Sequence, residues 1–113
     1  MHALIIEDES LIAIAIEDIL RECGFTSFDI APSPETAIAA ASRQCPSLIT
    51  SDVQLRPGCG IETVLQICDV KPVPVNFITG NASEVVDRMP GIPVLTKPFT
   101  ANQLKEAVAI VLT

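Results

Sequence analysis

A chain of 113 residues has room for one hydrophobic core and argues for a single domain over 1–113. A formal charge of −7 and a pI near 4.4 exclude the usual polyanion binders, because affinity for nucleic acid or an acidic membrane comes from lysine and arginine displacing counterions. Apolar residues make up 49% of the chain, with four Phe and neither Trp nor Tyr, so the core is aliphatic and disorder is excluded.

Ala3-Leu4-Ile5-Ile6 predicts a first strand that runs into three acids, Glu7-Asp8-Glu9. From Ser10 to Cys23, apolar Ile12, Ala15, Ile16, Ile19 and Cys23 recur at helical spacing with acids between them, and Gly24 supplies the stop. Ser27-Phe28-Asp29-Ile30 alternates polar and apolar, as a strand at a sheet edge does. Ser33-Pro34 opens a second helix through about Arg43, with Ala37, Ile38 and Ala41 inward. Pro46 resets the chain for a strand from Leu48 that is buried on both faces, has Asp52 at its C-terminal end and breaks into a Pro57-Gly58 loop.

Ile61, Val64, Leu65 and Cys68 form the inner face of a third helix, ended by Lys71-Pro72-Val73-Pro74. Val75 to Thr79 is the fourth strand. Asn81 and Glu84 have capping-box spacing for a short helix that Pro90-Gly91 cuts off. Ile92 to Thr96 is the fifth strand, at an edge because Pro93 has no N–H to donate. Thr100 and Gln103 cap the last helix, with Leu104, Val108 and Val111 inward.

Five strands alternating with five helices imply an α/β fold, a doubly wound five-stranded parallel sheet in the order 2-1-3-4-5. Cys23, Cys45, Cys59 and Cys68 lack C-x-x-C or zinc spacing and read as small buried thiols of a reducing cytoplasm. The opening apolar run stops at Glu7, too short for a signal peptide or a membrane span. His2 has no partner of matching type and reads as merely N-terminal.

In this topology Glu7-Asp8, Asp52, Thr79 and Lys97 all fall at the carboxyl ends of strands, where open α/β sheets bind ligands. Crowded carboxylates need a cation, and oxygen ligands on a partly hydrated site suit Mg²⁺. Lys97 and the metal would balance the charge of a phosphoryl group delivered in line to Asp52, and Thr79 would donate its hydroxyl to a phosphate oxygen. Taken singly, Glu7-Asp8-Glu9 reads better as a solvated turn favouring the next helix's N-terminus.

Together these residues resemble the receiver domain of bacterial two-component response regulators: Glu7-Asp8 after strand one, Asp52 after strand three, Thr79-Gly80 after strand four, and Lys97-Pro98-Phe99 after strand five. The resemblance implies a flavodoxin-like fold with Asp52 as phosphoacceptor, Asp8 binding Mg²⁺ (or Mn²⁺) directly, Glu7 binding it directly or through water, and Gln54 offering its backbone carbonyl. It implies that Lys97 contacts the phosphoryl group, that Thr79 reports it, and that the Lys97-Pro98 peptide is cis. The donor would be a histidine kinase or histidine phosphotransfer protein, and the readout a downstream protein partner, as in a phosphorelay. The only chemistry expected is phosphotransfer and slow autodephosphorylation, in a cytoplasmic monomer or weak phosphorylation-dependent dimer without its own output domain.

Three features differ from the family's common pattern. Val94 stands where an aromatic residue is usual, the Thr79-to-Lys97 stretch is about one helical turn short, and Glu7 replaces the commoner Asp. Phe77-Ile78-Thr79-Gly80 is similar to a stand-alone subgroup with a Phe-x-Thr-Gly pattern. The enzyme alternative is an aspartate-nucleophile small phosphohydrolase, but Gln54 occupies the place of its general acid. A flavin-binding module lacks its Ser/Thr/Gly-rich loop after Ile6, and an unphosphorylated, degenerate receiver fits poorly with the complete set of acids, threonine and lysine.

Overall fold

A computed structural model describes residues 1–113. The elements are β1 (His2–Ile6), α1 (Ser10–Glu22), β2 (Ser27–Ala31), α2 (Pro34–Arg43), β3 (Leu48–Ser51), α3 (Gly60–Val70), β4 (Val75–Thr79), α4 (Ser83–Arg88), β5 (Val94–Thr96) and α5 (Ala101–Leu112). The sheet order is β2-β1-β3-β4-β5 with every pairing parallel, as expected. β2 and β5, the wetter strand and the proline-led one, are its edges.

Alternate strand residues supply two separate cores, which is why β1 and β4 are buried along their whole length. Leu4, Ile6, Ile49 and Phe77 pack with Ala37, Ala40, Val64 and Ile67 in one cluster. Ala3, Ile5, Leu48 and Ile78 pack with Ala13, Ile16, Leu20, Leu104 and Val108 in the other. Ser33 and Thr100 cap α2 and α5 in reciprocal capping boxes with Thr36 and Gln103. No helix is long and apolar enough to cross a membrane.

Several expectations are corrected by packing. In α1 the buried stripe is Ala13, Ile16 and Leu20, with Ala15 exposed. The unbroken apolar run Leu11–Ile16 satisfies more than one helical phase, and contact with the sheet selects among them. In α3 Leu65 is exposed while Thr63 faces inward, because the Thr63 hydroxyl donates to the Cys59 carbonyl at 2.8 Å and can then be buried. Val111 is only half-buried.

The Asn81–Glu84 capping box does not form. The N-cap of α4 is Ala82, and Asn81 Oδ1 instead accepts from the Ser83 backbone N–H at 3.3 Å and its hydroxyl at 2.7 Å. β5 begins at Val94 rather than Ile92, although the Pro93 carbonyl still accepts from Phe77 N–H at 3.1 Å. All four cysteines are free, but Cys45 is exposed and the other three are half-buried. His2 is a buried member of β1, with Nδ1 2.8 Å from Ser27 Oγ and Nε2 3.0 Å from Asp29 Oδ2. Its partners lie on the neighbouring strand, out of reach of local sequence reading.

Thr50 and Asn76 sit opposite each other on β3 and β4, and Thr50 Oγ1 and both amide atoms of Asn76 are buried without a protein partner. A buried amide without a partner is costly. The double substitution Thr50→Val with Asn76→Leu is therefore expected to stabilise the fold by about 1 kcal/mol in urea unfolding. A loss of similar size would show that these groups are bonded through a held water.

Candidate functional site

The strand registers bring the site together. Ile6 of β1 lies opposite Ser51 of β3, so Glu7 and Asp52 leave the sheet side by side, with Asp52 N–H donating to the Ile6 carbonyl at 2.9 Å. β4 and β5 end level at Thr79 and Thr96, and Lys97 N–H donates to the Thr79 carbonyl at 2.8 Å. Glu7, Asp52, Thr79 and Lys97 thus each stand on or one step past a strand still tied into the ladder, a rigid mounting for a side chain.

The result is a cavity of about 370 Å³ with no apolar residue in its lining, among them Asp8, Asp52, Gln54, Arg56, Thr79 and Lys97. Lys97 Nζ is 3.0 Å from Asp52 Oδ2 and 3.0 Å from Glu7 Oε1. The Glu7 side chain is 1% exposed and that of Asp52 10%, so these charges have lost most of their water. Burial pushes the Glu7 carboxyl above its ordinary value and the Asp52 charge adds to this, while the Glu9 N–H at 3.1 Å and the Lys97 ammonium pull it back. Burial lowers Lys97, but the hydrogen bonds and charges of Asp52 and Glu7 outweigh it and leave the ammonium above the ordinary lysine value.

One carboxylate oxygen each from Glu7, Asp8 and Asp52 lies within 4.8 Å of the others. Three hard oxygen donors at this spacing fit a divalent cation such as Mg²⁺. Thr79 Oγ1 accepts from Asn81 N–H at 3.2 Å, which leaves its own proton to donate. Gln54 N–H approaches Asp52 Oδ1 at 3.4 Å. The loop after Asp52 is held by Gly60 N–H to the Val53 carbonyl at 2.7 Å, and the Lys97-Pro98 peptide is cis. Val94 is half-buried against the first core cluster, and α4 is only 6 residues long.

All the residues singled out from the sequence therefore meet on one rim. Sequence reading missed Arg56 and the place of Glu9 in the lining. The signal for Arg56 was its position just before the Pro57-Gly58 turn that follows Asp52.

The family model of the response regulator receiver domain matches residues 3–109. The chain belongs to that family. This receiver is 34% identical over 100 residues to the phyllosphere-induced regulator PhyR of Methylorubrum extorquens, covering 85% of the chain and 38% of PhyR. It is 27% identical over 113 residues to the transcriptional regulatory protein PdtaR of Mycobacterium tuberculosis, covering 96% of the chain and 55% of PdtaR. The receiver spans 24% of a protein-glutamate methylesterase/protein-glutamine glutaminase of Archaeoglobus fulgidus that is 27% identical over 84 residues and covers 74% of the chain. It therefore spans well under two thirds of these curated relatives.

Among solved structures, the receiver matches the solution structure of the Erythrobacter litoralis PhyR receiver domain with a TM-score of 0.91 and 32% identity, over 98% of this chain and 88% of that one. It matches the crystal structure of PhyR from Brucella abortus with a TM-score of 0.87 and 30% identity, over 98% of this chain and 47% of that one.

Proposed function

We propose that this receiver accepts a phosphoryl group on Asp52 from a histidine kinase or histidine phosphotransfer protein and signals by changing the protein partner it binds. The observation that carries this reading is Lys97 Nζ, shared at 3.0 Å between Asp52 and Glu7 in the acid-lined cavity. An Asp52 oxygen forms the bond to phosphorus as the donor's P–N bond breaks. Lys97 then turns one of its N–H donors from the carboxylate to a phosphoryl oxygen, keeping its charge beside the new group. Thr79 turns its free hydroxyl proton toward the new phosphoryl group, biasing an equilibrium between two arrangements of the rim.

Glu7, Asp8 and Asp52, with the Gln54 carbonyl, would hold Mg²⁺ (or Mn²⁺). When bound, the ion supplies positive charge against the phosphoryl oxygens. The place two residues after the acceptor, where an aspartate-nucleophile phosphohydrolase has its general acid, is taken by the amide of Gln54, so the site suits storage of the phosphoryl group better than ester hydrolysis. The Phe77-Ile78-Thr79-Gly80 run supports placement in the Phe-x-Thr-Gly subgroup. A cytoplasmic location follows from the family's donors.

The test is incubation with acetyl phosphate or phosphoramidate and Mg²⁺, followed by intact mass and mapping of the modified residue. One phosphoryl group on Asp52, lost with chelator and in Asp52→Asn, is expected. A folded wild-type protein that stays unmodified would sink the reading.

A further inference from the structure

The cavity contains one cation that phosphoryl acceptance as described leaves unused. Among the chain's seven lysine and arginine residues, Lys97 is committed to Asp52 and Glu7, while Arg21, Arg88 and Lys105 pair with other acids. Arg56 has no such pairing, although it lines the same cavity as Asp8, Glu9 and Asp52. Arg43 and Lys71 are the other two without ion pairs, and neither lines it.

The backbone under Arg56 is held firmly. Leu55 is 5% exposed in the first core cluster, and its N–H donates to the Gly58 carbonyl at 3.1 Å. Gln54 and Cys59 form an antiparallel bridge across the base of the loop. On its far side the loop presses on α2, since a Cβ at Gly58 would lie 2.5 Å from Pro34 Cγ. Arg56 is thus an exposed guanidinium on a fixed base in the lining of the acceptor's cavity.

A dianionic phosphate approaching this rim meets the repulsion of Asp8, Glu9 and Asp52, with the Lys97 ammonium already shared by two carboxylates. A planar guanidinium can offset that repulsion and grip two oxygens at once. Building on the reading of Asp52 as acceptor, we infer that Arg56 recognises small-molecule donors of the acyl phosphate class, distinct from the P–N donor proposed above, by holding the oxygens of the incoming dianion. In the step it assists, Asp52 forms the bond to phosphorus, the bond from phosphorus to the acyl oxygen breaks, and the carboxylate leaves with the electron pair. Arg56 keeps its proton throughout.

Donor charge provides the test. Rates of Asp52 phosphorylation are measured by intact mass for wild type, Arg56→Gln and Arg56→Lys, each with dianionic acetyl phosphate and with the less negative phosphoramidate. Loss of one charge-assisted contact is expected to slow Arg56→Gln about tenfold with acetyl phosphate and less than about twofold with phosphoramidate, with Arg56→Lys in between. The ratio of the two rates within one variant does not depend on how much of that variant is folded. Equal slowing with both donors, or none with either, would overturn the role of Arg56 while leaving Asp52 as acceptor. A wild-type protein unmodified by both donors would overturn the acceptor reading and the inference with it.

Discussion

Exchanging Lys97 for methionine is expected to slow phosphorylation of Asp52 roughly 100-fold, the size of effect seen when one preorganised donor to a developing charge is removed. It is also expected to cost about 2 kcal/mol of stability at neutral pH. Methionine keeps the length of the side chain, so the loss is one of charge. Without the ammonium, Glu7 and Asp52 face each other with 1% and 10% of their side-chain surfaces exposed and no counterion at 3.0 Å. The cost is placed below that of a fully buried pair because the Lys97 side chain itself is 21% exposed.

The pH dependence gives a second readout. The folded-state pKa of Lys97 is raised, so its contribution is fully present below the ordinary lysine value and is lost as pH rises through the higher folded one. Wild type should lose stability over that alkaline window, and Lys97→Met should not. In an Asp52→Asn background the neutral-pH penalty should shrink, since one of the two carboxylates is already uncharged. Urea unfolding of the four proteins in chelator measures both effects, and a penalty unchanged by Asp52→Asn would mean that the pair is not what Lys97 stabilises.

Gly60→Ala is expected to destabilise the fold by about 3 kcal/mol or more. Gly60 opens α3 directly behind the acceptor. A Cβ there would be driven into the Asp52 carbonyl oxygen and lie 2.7 Å from Ser51 Oγ and 2.8 Å from the Asp52 carbonyl carbon. These atoms belong to the end of β3 and to a serine whose hydroxyl donates to that same carbonyl at 2.8 Å, so none can give way cheaply. Relief would require shifting Asp52 itself, and phosphorylation should fall in whatever fraction remains folded. Gly80→Ala is the control: it lines the same cavity, yet an added Cβ meets nothing within 4 Å. Its expected change is within about 0.5 kcal/mol. Equal midpoints in urea for the two variants would refute the steric argument.

Much of the molecule was legible from the chain because its punctuation is local. Apolar runs ending in Glu7, Asp52 and Thr79, a Ser-Pro opening for α2, and prolines at 46 and 72 mark where helices give way to strands and strands end, and the alternation of the two element types leaves few topologies. The helical phases of α1 and α3 were less legible, since a run such as Leu11–Ile16 offers several apolar stripes and only the surface it meets decides between them. Glu84 had the spacing of a capping partner for Asn81, but 3.9 Å from Arg88 it pairs along the helix instead. Val94 could be read from the chain, but the half-buried place it takes against the first core could not.

The order and kind of elements and the aliphatic core were determined by sequence alone, because each follows from composition and from neighbours within a few positions. Tertiary structure decided the burial of His2 against Ser27 and Asp29 across β1 and β2, the exposure of Cys45, and the placing of Arg56 in the lining of the acceptor's cavity. It also decided the 3.0 Å contact between Lys97 and Glu7, two residues ninety positions apart. Such distances follow from strand register and helix docking, and these are settled by the packing of the whole chain at once.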